Sequence, residues 1–301
     1  MTNRINRRRL LQTSAAMAAS FGIPRTGLTQ GCDAKEGTVR DRLWLFGIPA
    51  NINYSYTGRR SLMTPVEGAH YLGVPNVLMI QANVGEESKY GHFDPPFDQY
   101  AIALRSLKRV AWSITGSGGV TSPEYRTQVL DLAKHTPHFV GLYMDDFFTT
   151  KAEGKRAVLT LHELREIRQQ AQGSDKKLEI WVTYYTELLD LPLTDYLSLI
   201  DVITMWTGSS RDLVALEGNL AKLDKLVPGK RKTLGCYFFD FSEKKPVPVS
   251  AMQFQCEMGL KWLHEGRIEG LVFLGNSVED LGYECVDWTR DWIQKVGDTR
   301  V

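Results

Sequence analysis

Several features that usually disclose a protein's chemistry are missing from this sequence. Its four cysteines, Cys32, Cys236, Cys256 and Cys285, include no pair at the close spacing of a zinc or dithiol redox motif. Cys236 falls in an apolar run and Cys256 in a helical pattern, which reads as buried thiols, and spacing leaves open which cysteines would pair in an oxidising compartment. No Gly-rich dinucleotide fingerprint follows the first apolar run, and no G-x-S-x-G elbow occurs. Excess charge of one sign is lacking too. The 36 Lys and Arg against 35 Asp and Glu leave a net +1, which gives no electrostatic reason for nucleic acid or an anionic membrane as a partner. No apolar run reaches the ~20 residues of a membrane-spanning helix, so no stable span is expected. Histidines are few and poorly placed. His135 and His138 precede a strand, His70, His162 and His264 fall in helical stretches, and only His92 follows a strand. A His-rich metal centre is therefore not expected, and no metal or cofactor is assigned.

The amino-terminal segment has its own character. Asn6-Arg7-Arg8-Arg9-Leu10-Leu11-Gln12 resembles a twin-arginine export motif, and a modest Ala- and Ser-rich apolar stretch follows from Leu10 to Ile23. That likeness implies the twin-arginine translocation machinery as a transient partner and a periplasmic or secreted destination. Leu28-Thr29-Gln30-Gly31-Cys32 has a faint likeness to a lipoprotein cleavage box, with the leucine one position out of place. Residues 1–37 are read as signal peptide and linker, and 38–301 as the folded domain.

From Arg42 onward, short apolar runs alternate with longer amphipathic stretches. The runs are Leu43 to Ile48, Val77 to Gln81, Val110 to Thr115, Phe139 to Asp145, Leu178 to Tyr185, Val202 to Trp206, Thr233 to Phe239 and Leu271 to Leu274. Each is short and rich in β-branched or aromatic residues, as strands buried on both faces should be. Between them, Tyr125-Val129-Leu132, Leu161-Leu164-Ile167, Leu213-Leu216-Leu220-Leu223 and Met252-Cys256-Leu260-Leu263 repeat at helical spacing, the last on a helix that Ser250 is placed to cap. Alternation of this kind implies parallel strands joined by helical crossovers. Eight repeats favour a closed barrel over an open sheet. The fold class expected is α/β, a single (β/α)8 TIM barrel, for which about 250 residues suffice.

In such a barrel the chemistry lies in the loops at the carboxyl ends of the strands. The first strand runs into Asn51, Asn53 and Tyr54; the second into Gln81, Asn83, Glu86 and Glu87; the eighth into Asn276, Glu279 and Asp280. The fourth carries the sharpest signal, Tyr143-Met144-Asp145-Asp146. Side chains alternate along a strand. Val140, Leu142 and Met144 are expected to face the helices, and Gly141, Tyr143 and Asp145 the barrel axis. Asp146 is expected to turn aside, capping a helix or binding a loop amide.

The stretch Phe139-Val140-Gly141-Leu142-Tyr143-Met144-Asp145-Asp146-Phe147-Phe148 resembles the fourth strand of barrel glycoside hydrolases, where an apolar strand carrying a glycine ends in a catalytic carboxylate. The chain lacks the D-x-x-D-x-D-x-E signature of chitinases and the paired Asn-Glu strand ends of many retaining β-glycosidases. The resemblance implies a carbohydrate substrate and two carboxyl groups in concert. Asp145 and Asp146, as strand neighbours pointing apart, do not make the pair, so the second carboxylate comes from another strand end. Glu187, with burial beside Tyr184 and Tyr185 to raise its pKa, is the expected general acid, and Asp240 is next in line. Asp145 is the expected nucleophile or base. Trp206 and Tyr237 would form a sugar-stacking platform, Asn51, Gln81 and Asn276 would bind hydroxyls, and Tyr143 and Tyr185 would also bind substrate. Two rivals stand beside this reading: a carbohydrate-binding barrel that does not cut, and a lyase, isomerase or phosphoesterase with a divalent cation on the aspartate pair.

Overall fold

The computed structural model describes residues 37–51, 57–81, 93–149, 156–173 and 175–301. Residues 1–36, on which the expected export signal falls, and Asn53, Tyr54, Asn83, Glu86, Glu87 and His92 lie outside that set. Eight parallel strands close into a barrel: β1 (Leu43–Gly47), β2 (Asn76–Met79), β3 (Arg109–Thr115), β4 (Phe139–Met144), β5 (Glu179–Tyr185), β6 (Val202–Trp206), β7 (Arg231–Tyr237) and β8 (Gly270–Leu274). Each strand pairs with its sequence neighbour, and β8 pairs with β1 through Leu43↔Leu271 to Phe46↔Leu274. A (β/α)8 barrel is the result, with boundaries within two residues of those read from the apolar runs.

Alternation along the strands sorts the core into two layers. Leu43 and Leu45 of β1 and Leu271 and Phe273 of β8 face the helices. Trp44, Phe46, Val272 and Leu274 fill the interior, where the Trp44 and Trp181 rings lie 4.9 Å apart. Burial on both faces explains why these strands read as unbroken apolar runs. One expected orientation is wrong. Val140 packs against the interior cluster instead of the helices, because the β3–β4 register slips between Val110 and Ala111, leaving Val140 unpaired beside Gly141. Past this bulge the alternation resumes, with Leu142 and Met144 outward and Tyr143 inward.

The outer helices start where short polar residues can satisfy free amides. Thr64 and Glu67 form a capping box on α1 (Pro65–Leu72), Ser122 caps α3 (Pro123–His135), and Thr160 with Glu163 boxes α4 (Leu161–Gln172). The helix Val249–His264 departs from expectation. Its N-cap is Pro248, and Ser250 already lies within the first turn. Among the described residues no helix is long and apolar enough to cross a membrane.

At the amino ends of the strands the barrel is closed by ion pairs. Arg231 Nε donates to Glu269 at 2.7 Å and its Nη1 to Glu179, which also accepts from Trp181 Nε1 at 3.0 Å. The guanidinium of Arg109 stacks 4.7 Å above Trp44 and reaches Asn76 Oδ1 at 3.1 Å. The first and last segments of the barrel meet here as well. The Val39 amide donates to the Thr299 carbonyl at 2.9 Å, and the Val301 amide to the Gly37 carbonyl at 3.0 Å.

Candidate active site

The opposite end of the barrel opens into a cleft of about 580 Å³, within the usual range for small-molecule sites. Its floor depends on one glycine. A Cβ at Gly235 of β7 would lie 2.0 Å from the Trp206 ring, so only glycine lets that indole lie across the neighbouring strand. Trp206 then meets Tyr237 at 4.6 Å between ring centroids and Phe46 at 5.5 Å. The resulting aromatic floor matches what a ligand with a flat apolar face requires.

Asp145 directly follows β4 and keeps the inward phase of Tyr143. It is 4% exposed, and its Oδ1 accepts a hydrogen bond from the Thr183 hydroxyl at 2.7 Å. Thr183 in turn lies 2.9 Å from the Tyr143 hydroxyl, which is fully buried beneath. With the Thr183 proton given to Asp145, Tyr143 is the donor to Thr183. Burial, and then the charge of Asp146, hold the Asp145 carboxyl well above the usual range, against the opposing hydrogen bond from Thr183.

Asp146 corrects the expectation that the pair points apart. Its backbone takes a left-handed conformation, φ 43°, which breaks strand alternation and returns the side chain to the same cleft. Oδ2 accepts from the Gly118 amide at 2.7 Å and Oδ1 from the Tyr185 hydroxyl at 2.5 Å. The loop amide is as expected; the shared cleft is not. Tyr185 and Tyr237 are both held in the phenol form, first by burial, with the negative aspartates adding to it.

Glu187 follows β5 in a single turn, Thr186–Leu188, and lines the cleft beside Gly208, where any Cβ would stand 2.8 Å from Glu187 Oε1. It is exposed, so the burial expected of a general acid is absent. Asp240 lies outside the cleft. Burial pushes its pKa up, but hydrogen bonds from Ser210 Oγ at 2.7 Å, the Glu243 amide at 2.8 Å and the Ser210 amide at 2.8 Å prevail and lower it. It anchors the loops after β6 and β7 and has no capacity left for substrate.

The three amides expected to bind hydroxyls do not line the cleft either. Asn276 is buried with its capacity spent inside the chain. Its Nδ2 donates to the carbonyls of Ile48 and Met63 at 2.8 and 2.7 Å, and its Oδ1 accepts from the Ile48 amide at 2.8 Å. It stitches the end of β1 to the end of β8. Asn51 is an exposed left-handed turn residue, φ 67°. Gln81 is buried, and its backbone amide donates to Ser113 Oγ at 2.8 Å. Tyr143 lies below the cleft as support for Thr183, whereas Tyr185, Trp206 and Tyr237 line it. Phe46, Thr183, Phe148 and Phe241 also line it and were not singled out from the sequence. The inward phase of β1 and β5 marks the first two; nothing periodic marks Phe148 or Phe241. Among the described residues, no group of three or more His, Cys, Asp and Glu is arranged to hold a metal ion.

No protein-family model and no curated protein matches the sequence. Solved structures do resemble the fold. Active domain 2 of a thermostable chitinase from Pyrococcus furiosus, solved with chito-oligosaccharides, aligns over 86% of this chain and 97% of its own at 13% identity, TM-score 0.55. The spore cortex-lytic enzyme SleL of Bacillus megaterium aligns over 87% and 75% at 8% identity, TM-score 0.53. A xylanase–α-amylase inhibitor protein solved with trehalose aligns over 85% and 98% at 12% identity, TM-score 0.52. At such identities the likeness is one of fold: a barrel that hydrolases and an inhibitor both use.

Proposed function

We propose that this cleft binds a glycan and hydrolyses it, with Asp145 as the proton donor and Glu187 as the second carboxylate. The observation that carries the reading is Asp145 itself, a buried carboxyl with a raised pKa at an aromatic floor, backed by the Thr183–Tyr143 hydrogen-bond chain. This reverses the roles expected from the sequence. Groups whose surroundings favour the neutral form suit proton donation, and the buried residue is Asp145 while Glu187 is exposed. In the proposed step the Asp145 proton passes to the glycosidic oxygen as the bond to the anomeric carbon breaks. Glu187 takes a proton from the water that attacks that carbon, or attacks it directly. Asp146 stays beside the reacting centre, where its charge favours the oxocarbenium-like transition state.

The fold neighbours support a carbohydrate ligand, since a chitinase solved with chito-oligosaccharides and an inhibitor solved with trehalose share the barrel. The inhibitor gives substance to the rival reading, a barrel that holds sugar without cutting it. Purified protein assayed against a panel of glycosides and polysaccharides, with Asp145→Asn alongside and chelator in parallel, separates them. Sugar release by the native protein alone, indifferent to chelator, is the expected result. Saturable binding without product in both proteins would leave a carbohydrate-binding barrel, and chelator-sensitive turnover would move the case to a cation on the aspartate pair. We also propose export through the twin-arginine machinery to the periplasm or beyond, on the strength of Asn6 to Gln12. Replacing Arg7 and Arg8 by Lys should leave the protein inside the cell.

A further inference from the structure

The charge of the cleft is one-sided although the chain as a whole is balanced. Asp145, Asp146 and Glu187 all line it, and no Lys, Arg or His does among the described residues, in a protein with 36 basic and 35 acidic side chains. Nor are these charges met by an opposite charge among the described residues. Among the described residues Asp146 is hydrogen-bonded by neutral donors, the Tyr185 hydroxyl and the Gly118 amide. Glu187 makes no hydrogen bond or ion pair among the described residues, although carboxylates elsewhere in the barrel, such as Glu179 and Glu269, are paired with arginine. Around them stand the rings of Tyr185, Trp206, Tyr237 and Phe241. Aromatic faces present negative potential and attract a cation within about 6 Å. A neutral glycan closing this cleft would strip water from Asp146 and Glu187 and return hydroxyl donors but no opposite charge. An anionic ligand would be repelled.

We infer that the ligand is positively charged: a glycan carrying free amino groups, its ammonium held between the aromatic walls and the carboxylates of Asp146 and Glu187. This rests on the glycan reading above and narrows it to amino sugars left unacylated. Calorimetric titration of the full-length protein with length-matched oligosaccharides of glucosamine, of N-acetylglucosamine and of glucose tests it. The titrations are run below the amine's pKa, in low and high salt, with spermidine as a cation that is not a sugar. The glucosamine series should bind about tenfold more tightly than either neutral series, and the margin should shrink as salt screens it. Glu187→Gln, an exposed change with little consequence for folding, should cut the margin severalfold. Equal or tighter binding of a neutral series would overturn the charge inference and leave the glycan reading standing. Binding of spermidine with no sugar bound would do the opposite. Silence with every ligand would overturn both.

Discussion

The two ends of this barrel are built from the same strands and use charge in opposite ways. At the amino ends, Arg231 lies between Glu179 and Glu269, Lys108 meets Asp41 at 2.8 Å, and Arg109 covers Trp44. At the carboxyl ends, Asp145 and Asp146 share one cleft with Glu187 and, among the described residues, no cation. Opposite charges brought together satisfy one another, and such an end needs nothing from outside. Like charges brought together raise one another's energy, a cost that the rest of the fold must carry. The half-satisfied end is the one equipped for chemistry.

The sharpest way to break that comparison is Asp145→Asn. If the carboxyl end is the working end, turnover should fall by about 10²–10⁴-fold while the melting temperature holds or rises, since a buried carboxyl beside another is removed. At the other end, Arg231→Ala should leave turnover alone and cost roughly 2–3 kcal/mol by urea denaturation, because two carboxylates lose a charge-assisted donor. Gly235→Ala tests the floor. Its Cβ would meet Trp206 at 2.0 Å, and a stability loss of about 1–3 kcal/mol together with weaker ligand binding is expected as the indole is displaced. Tyr185→Phe should be milder, about 1 kcal/mol and up to about tenfold in turnover, from the loss of its bond to Asp146.

A pH titration of stability sharpens the contrast further. The Asp145 carboxyl is raised well above 3.8 in the folded protein, by burial first and then by Asp146. The stability owed to its neutral form is therefore complete below 3.8 and lost as pH climbs through the raised folded value. Urea midpoints of the native protein and Asp145→Asn should diverge across that window and run parallel below it.

Which parts of this were legible beforehand follows from the kind of information each needs. Strands buried on both faces announce themselves as apolar runs, so Val202–Trp206 could be read to the residue. Alternation then delivered Asp145, and strand-end position delivered Trp206 and Tyr237. Other features needed coordinates. Val140 turned inward through a slip in β3–β4 pairing, a relation between strands that neither strand records alone. Asp146 adopts a left-handed backbone that local sequence preferences assign to glycine or asparagine first. Asn276 and Asp240 were correctly placed near strand ends, yet the chain itself consumes their hydrogen bonds, in part through Ile48, which lies 228 residues from Asn276. Position says where a polar group is; only its partners say whether anything is left of it.

The meeting of the barrel's first and last segments has a consequence for its topology. Gly37 and Val301 are hydrogen-bonded neighbours, and β8 pairs with β1 as each strand pairs with the next. The described residues of the barrel thus start and stop at one seam in a ring whose contacts continue unbroken across it. A short peptide joining Val301 to Gly37, with a new opening cut between two outer elements, would give a circular permutant with the same barrel. Since that seam is at the strands' amino ends, the join would be made at the far end from Asp145, and its cleft would be unaltered by where the chain is said to start.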